Sequence, residues 1–206
     1  MGKHAQSIDS RILQRAKAGK DGRVFTARDF LDLGSRDAVD KALSRQSRDG
    51  SLRKIARGLY DIPRQDAQLG QLAPSVAAIA KALQDRDAIR LQPSGAYAAN
   101  LLGLSDQVPM KVVFLTDGSP RRIQVGRLQI ILKHTTPRNM ATAGLISGLI
   151  IHAFRHLGQR GVGTREIAML RRRLTAADKQ RLLKDALFAP AWIARIMRAV
   201  AAPAKE

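Results

Sequence analysis

The chain has 206 residues, no cysteine and a formal net charge of +19, from 36 Lys and Arg against 17 Asp and Glu. The absence of cysteine excludes a disulfide scaffold and thiolate metal sites, and a hydrophobic content of 45% excludes disorder throughout. A chain this basic favours a polyanionic partner. The N-terminal segment lacks the apolar core of a secretion signal, and no apolar run is long enough to span a membrane, so we expect a soluble cytoplasmic protein without a membrane partner.

The first third of the sequence predicts three short helices. Residues 7–18 have the apolar spacing of an amphipathic helix. Thr26, with Asp29 three residues later, predicts the start of a second helix that ends at Gly34. Ser35 predicts the N-cap of a third helix, whose apolar residues follow the i, i+3, i+4 spacing of a buried stripe.

A basic hairpin is predicted after the third helix, with strands at residues 51–55 and 59–62 and a turn in which Gly58 is free to adopt a positive φ. This order of elements is typical of a winged helix-turn-helix, which usually places its second helix in the major groove of DNA. Winged helices also serve as protein–protein modules, and basic helix faces are often only solvated, but the net charge favours DNA. The candidate DNA-binding residues lie on the helix and the hairpin: Arg36, Lys41, Ser44, Arg45, Arg48, Arg53, Lys54 and Arg57. Of these, Arg45 is the first candidate to read a base.

A polar, proline-flanked stretch at residues 63–74 is typical of a linker. We therefore predict a DNA-binding domain at residues 1–66 and a C-terminal α+β domain at residues 67–206. The second domain is predicted to begin with helices and a small sheet and to become helical to its end beyond Pro137. The predicted fold class is α+β, with an N-terminal winged helix-turn-helix followed by a mixed α/β domain with a helical C-terminal part.

The densest positive charge lies in residues 136–206, with 13 basic against 4 acidic side chains. The sharpest cluster is Arg171, Arg172 and Arg173, and with Arg155 it is a candidate surface for a second polyanion or a partner protein. The alternative is a solvated helix end whose cations complement the helix dipole.

Catalytic chemistry has little support in the sequence. Metal-dependent nucleases and nucleotidyltransferases need neighbouring carboxylates, and the last 140 residues contain only eight acidic side chains. His152 and His156 have the i, i+4 spacing with which a zinc site could start, but an apolar helix without an adjacent acid favours packing or nucleic-acid contact. We expect no enzyme, no catalytic residue, no metal and no cofactor.

Two motifs together carry a resemblance to a known family: RKIARGLYDIP at the end of the hairpin and PSGAYAANLLGLSDQVPMKVVFLTDGSPRR after it. With both, nearly the whole chain resembles the AbiEi-type antitoxins of bacterial type IV toxin–antitoxin systems, and more narrowly the DUF6088 branch. The resemblance implies an N-terminal winged helix that binds operator DNA and represses its own operon. It also implies a C-terminal domain that opposes a cognate nucleotidyltransferase-like toxin, either directly or through the toxin's target.

Two hypotheses of different class stay open at this point. One is a DNA-binding regulator that is also an antitoxin, and the other is a nucleic-acid-processing enzyme targeted by a winged helix. The shortage of paired carboxylates favours the first. A constitutive RNA- or ribosome-binding protein is disfavoured by an aromatic content of only 4%. The sequence leaves the operator, the identity of the toxin and the oligomeric state open.

Overall fold

Helices and short β-sheets make up the chain, which confirms the predicted α+β class. A computed structural model describes residues 7–19, 22–68 and 70–202. The polypeptide forms two compact units, Met1–Ala88 and Ile89–Glu206. The boundary therefore lies after Ala88 and not at residue 66, and each unit is considered by itself below.

The first unit contains these elements: α1 (Ile8–Ala18), β1 (Val24–Phe25), a 3₁₀ helix (Ala27–Leu33), α2 (Arg36–Arg48), β2 (Arg53–Ala56), β3 (Leu59–Asp61), β4 (Arg64–Asp66), β5 (Gly70–Leu72) and α3 (Val76–Asp87). β1, β3 and β2 form an antiparallel sheet in that order. The predicted helices are present, although the second is a 3₁₀ helix rather than an α-helix.

Side-chain caps explain where these helices begin. The Asp29 carboxylate accepts from both the N–H (2.8 Å) and the hydroxyl (2.9 Å) of Thr26, so the predicted cap is confirmed. The Ser35 hydroxyl accepts from the Ala38 N–H at 3.3 Å and starts α2. Helix α1, the 3₁₀ helix and α2 then share a core that includes Ile12, Phe25, Phe30, Val39 and Leu43. Phe25 and Phe30 pack with their ring centroids 5.8 Å apart.

The stretch predicted as a linker is a second hairpin, in which β4 and β5 pair antiparallel. Its polar side chains gave no alternation to indicate strands, and the pairing is made through the backbone. The Arg53 guanidinium donates to the Leu72 carbonyl at 2.8 Å and so ties β5 to the first hairpin. Two more bonds hold α3 in this unit, from Arg28 to the Asp85 carbonyl (2.6 Å) and from Arg86 to the Arg57 carbonyl (3.1 Å). These contacts explain why the unit extends to Ala88.

The second unit contains these elements: β6 (Leu91–Ser94), α4 (Gly95–Leu101), β7 (Lys111–Thr116), β8 (Arg121–Val125), β9 (Leu128–His134), α5 (Pro137–Met140), α6 (Ile146–Leu157), a 3₁₀ helix (Gln159–Gly161), α7 (Thr164–Arg173), α8 (Ala176–Asp185), a 3₁₀ helix (Ala186–Phe188) and α9 (Ala191–Ala201). The strand order is β6-β7-β9-β8, with β7 and β9 parallel and the other pairs antiparallel. The region beyond Pro137 is helical, as predicted.

Helices α4, α6, α7, α8 and α9 enclose the core of the second unit, around residues such as Phe154, Leu182 and Met197. Helix α6 is fixed at two places. The buried Ser147 hydroxyl donates to Asp185, which also accepts from Arg181 at 2.8 Å. Beside it, a Cβ on Gly148 would lie 2.2 Å from the Thr142 carbonyl oxygen, so only glycine fits there.

Candidate nucleic-acid interface

Helix α2 presents the polar face that the sequence predicts. Val39, Ala42, Leu43 and Gln46 are buried on one side of the helix. At 100° per residue, the centre of the opposite side falls at Asp37, Lys41, Ser44 and Arg48, while Arg36 and Arg45 lie at its margins. All five candidate residues of this helix are exposed: Arg36, Lys41, Ser44, Arg45 and Arg48.

Two of these cations already have exposed carboxylate partners on the same helix. Arg36 pairs with Asp40 and Lys41 pairs with Asp37, each at 2.8 Å and at i, i+4 spacing. Ion pairs this exposed contribute little to stability because water screens them. A phosphate could therefore replace either carboxylate at small cost.

Arg45 is held more firmly. Its Nε and Nη2 atoms donate to the two oxygens of Asp9 on α1, at 2.9 Å and 2.6 Å. The hydrogen bond from Arg45 holds the pKa of Asp9 below its usual value, and Gln46 donates to the Asp9 carbonyl in addition. Arg45 thus joins α1 to α2 in a bidentate pair and would have to leave Asp9 in order to read a base.

On the hairpin, the Arg53 side chain makes hydrogen bonds within the first unit. Its Nε and Nη2 donate to both oxygens of Asp61, at 2.9 Å and 2.5 Å, and the Asp61 side chain is only 2% exposed. The hydrogen bond that Arg53 donates to Asp61 raises the pKa of Arg53. Because the Arg53 guanidinium also donates to the Leu72 carbonyl, we leave Arg53 out of the interface that we propose below.

Three candidate cations have no carboxylate partner within the part of the chain that the structure describes: Arg48, Lys54 and Arg57. Arg48 makes one long bond to its own helix, at 3.5 Å to the Ser44 carbonyl. Lys54 and Arg57 are exposed on the hairpin, where Gly58 adopts φ +68° and closes the turn as predicted. A cation without a partner already in place meets a phosphate without first breaking another bond.

Two of the four C-terminal candidate arginines bond to backbone carbonyls at helix ends. Arg171 donates to the Ala199 carbonyl in the last turn of α9 (2.5 Å), and Arg173 donates to the Leu102 carbonyl at the end of α4 (2.7 Å). Both bonds satisfy carbonyls that a helix end leaves without a partner. Arg172 is exposed, and Arg155 donates to the Asn139 side chain at 3.0 Å.

The two histidines of α6 also differ from each other. His152 is 3% exposed, whereas His156 is exposed. Burial, followed by the nearby Arg155 cation, lowers the pKa of His152 to about 4. Among the described residues, no group of three or more His, Asp or Glu side chains is placed to hold a metal ion.

Sequence reasoning missed two carboxylates of the first unit, Asp9 and Asp61. For Asp61 a signal was present: counting outward from the hairpin turn sets Arg53 opposite Asp61, and the observed register confirms that pairing. Asp9 lies 36 residues from Arg45, and no local pattern connects them.

A protein family can now be assigned to this arrangement. Residues 11–182 match the model of DUF6088, a family of unknown function. Since that match covers well over half of the chain, the protein belongs to the DUF6088 family. No curated protein matches it significantly. In the described part of the chain, no helix combines the length and the apolar character needed to cross a membrane.

Proposed function

We propose that the first unit is a winged helix-turn-helix that binds duplex DNA, with α2 in the major groove and the β2–β3 hairpin along the backbone. The order of α1, β1, the 3₁₀ helix, α2 and the hairpin, with a β1-β3-β2 sheet, supports this assignment. The observation that carries it is a set of exposed cations on α2 and the hairpin that have no carboxylate partner among the described residues: Arg48, Lys54 and Arg57.

The helix geometry also ranks the contacts. Lys41, Ser44 and Arg48 lie near the centre of the exposed face and are our first candidates for the floor of the groove. Arg36 lies at the margin and contacts phosphate after it leaves Asp40. Lys54 and Arg57 contact phosphate or the minor groove, because wings mostly read the backbone.

The salt dependence of DNA binding tests this proposal. Each phosphate contact contributes about −0.9 to the slope of log K against log salt. The triple variant Arg48→Ala, Lys54→Ala, Arg57→Ala loses the two phosphate contacts of the wing, so its slope should be shallower by about 1.8. The loss of Arg48, which we assign to the floor of the groove, lowers the affinity in addition. Fluorescence anisotropy with a random-sequence duplex at several salt concentrations measures the slope and the affinity. Arg127→Ala is the control, since it removes an exposed arginine from the β8–β9 turn of the second unit. An unchanged slope in the triple variant contradicts the proposal.

We further propose that this cytoplasmic protein represses its own operon and acts as the antitoxin of a type IV system, opposing a nucleotidyltransferase-like toxin. The resemblance of the two sequence motifs to AbiEi-type antitoxins supports this, and the second unit has a core of its own for a separate task. Co-expression of the full chain with the neighbouring reading frame, scored by growth, tests it. The triple variant should lose repression and keep neutralisation. Failure of the wild-type chain to restore growth would remove the antitoxin assignment and leave DNA binding to be judged by its own assay.

The proposal assigns no catalytic residue to this chain. Incubation of the full chain with plasmid DNA and with RNA, in the presence of Mg²⁺ or Mn²⁺, checks this. Metal-dependent cleavage would favour the alternative, a nucleic-acid-processing enzyme targeted by the same DNA-binding unit.

A further inference from the structure

A cavity of about 690 Å³ lies within the first unit, away from the elements that we assign to DNA. Its walls come from the start of β1, the 3₁₀ helix, β4 and one side of α3 along most of its length. No residue of α2 or of the β2–β3 hairpin lines it. The volume is in the range of cavities that hold small organic molecules, which is about 300–1,000 Å³.

The charged side chains of the cavity are paired, with one exception. Arg23 is bound to Asp29 at 2.6 Å, and Lys81 is bound to Asp85 at 2.7 Å. Arg64 also lines the cavity, and among the described residues it has neither a hydrogen bond nor an ion pair. Among the described residues that line the cavity, three cations therefore face two carboxylates.

The guanidinium of Arg64 lies against the backbone of Gly22. A Cβ at that position would be 3.0 Å from Nη2 of Arg64, and Gly22 has φ +77°, which other residues rarely adopt. Glycine at this position therefore leaves room for the close approach of the guanidinium. A guanidinium can donate two parallel N–H groups to a carboxylate or a phosphate.

Three apolar side chains and Ser75 complete the lining. Val24, Ala78 and Ala82 line the cavity, with Val24 and Ala82 largely buried. Water gains few hydrogen bonds at such a surface, and an apolar group gains contact with it. A ligand that suits both parts combines one anionic group with an apolar or aromatic body.

We propose that this cavity binds a small organic anion, with Arg64 holding its carboxylate or phosphate and Val24, Ala78 and Ala82 packing against its apolar body. The site is separate from the proposed DNA-binding surface, so this proposal can be tested independently of the proposed function. In a DNA-binding protein, such a site would be the place at which a small molecule acts.

Phenyl phosphate and benzoate are suitable probes, with benzyl alcohol as the uncharged control and inorganic phosphate as the control without an apolar body. Titration of the ¹⁵N-labelled full chain, followed by NMR, should show saturable shifts at Gly22, Val24 and Ala78 with at least one of the two aromatic anions. The stronger of the two identifies the preferred acid group. Arg64→Ala should weaken binding by about 10- to 100-fold, the effect of losing a charge-assisted hydrogen bond. Arg127→Ala, which removes an exposed arginine of the second unit, should leave the affinity for the aromatic anions unchanged.

A second variant tests the cavity itself and covers an Arg64→Ala protein that fails to fold. Ala78→Leu places a larger side chain in the cavity on a residue type that favours a helix, and it leaves Arg64 intact. It should abolish the shifts. The proposal is overturned if neither aromatic anion gives saturable shifts, if Ala78→Leu binds like the wild type, or if benzyl alcohol or inorganic phosphate binds as tightly as the aromatic anions.

Discussion

We expect the ion pair between Arg53 and Asp61 to contribute strongly to the stability of the first unit. Breaking a buried ion pair by removing one partner costs about 3–5 kcal/mol. The two partners differ in exposure, with 23% of the Arg53 side chain and 2% of the Asp61 side chain accessible. Arg53→Ala strands a buried carboxylate, whereas Asp61→Ala leaves a cation that still reaches water and the Leu72 carbonyl.

We therefore expect the two single substitutions to lower the free energy of unfolding by different amounts. Arg53→Ala should lower the free energy of unfolding by about 4 kcal/mol and Asp61→Ala by about 3 kcal/mol, which are the middle and the lower end of the range for broken buried pairs. The double variant Arg53→Met, Asp61→Leu should recover most of the loss, because apolar side chains of similar size need no charge partner.

Urea unfolding followed by far-ultraviolet circular dichroism measures these differences, and hydrogen exchange of peptides that span residues 53–61 assigns them to the hairpin. Arg57→Ala is the matched control, an exposed arginine on the same hairpin, and should change stability by less than about 0.5 kcal/mol. If Arg53→Ala is no more destabilising than Arg57→Ala, the assigned role of Arg53 in the fold is wrong.

Two further predictions concern the second unit. Burial lowers the pKa of His152 from 6.5 to about 4. Below pH 6.5 the unfolded chain therefore binds a proton that the folded chain does not bind. The free energy of unfolding should fall by about 3 kcal/mol between pH 6.5 and pH 4, at about 1.36 kcal/mol per pKa unit. His152→Leu should remove that pH dependence in urea unfolding and the exposed His156→Asn should keep it. Gly148→Ala should cost about 1–3 kcal/mol or more by overpacking against the Thr142 carbonyl. Gly163→Ala, whose Cβ meets Glu166 at an ordinary 3.5 Å, should cost far less in the same measurement.

Local patterns sufficed for the helices and the first hairpin. The caps at Thr26 and Ser35, the turn at Gly58 and the apolar stripe of α2 all depend on residues within a few positions of one another. Such signals survive without tertiary context because each involves one turn of backbone. The second hairpin could not be predicted in this way, because the strands at Arg64–Asp66 and Gly70–Leu72 show no apolar alternation.

The use of each arginine could not be predicted, because it depends on partners far away in the sequence. Arg171 bonds to a carbonyl 28 residues away and Arg173 to one 71 residues away, so two members of a run of three basic residues are bound at different helix ends. Arg53 is the exception, since hairpin register alone places Asp61 opposite it. Net charge therefore indicates the kind of partner, while the carboxylates and carbonyls decide which cations remain available for it.

Experiment can decide whether Arg45 contacts DNA or only joins α1 to α2. Its partner Asp9 lies on α1, so it can be changed without altering α2. Asp9→Asn removes the charge that holds both guanidinium nitrogens. If Arg45 then turns to DNA, duplex affinity should rise by about tenfold, the gain from one charge-assisted hydrogen bond. Asp32→Asn is a matched control, since Asp32 holds Arg15 in an equally bidentate pair in the same unit.

Both variants raise the net charge by the same amount, so a general electrostatic gain appears equally in the two. An excess for Asp9→Asn that vanishes when Arg45→Ala is added would assign the gain to Arg45 itself. Equal affinities for Asp9→Asn and Asp32→Asn, measured by anisotropy at one salt concentration, would instead make Arg45 a residue that joins α1 to α2 and nothing more. The outcome separates a guanidinium stored on a carboxylate for use on DNA from one that only holds two helices together.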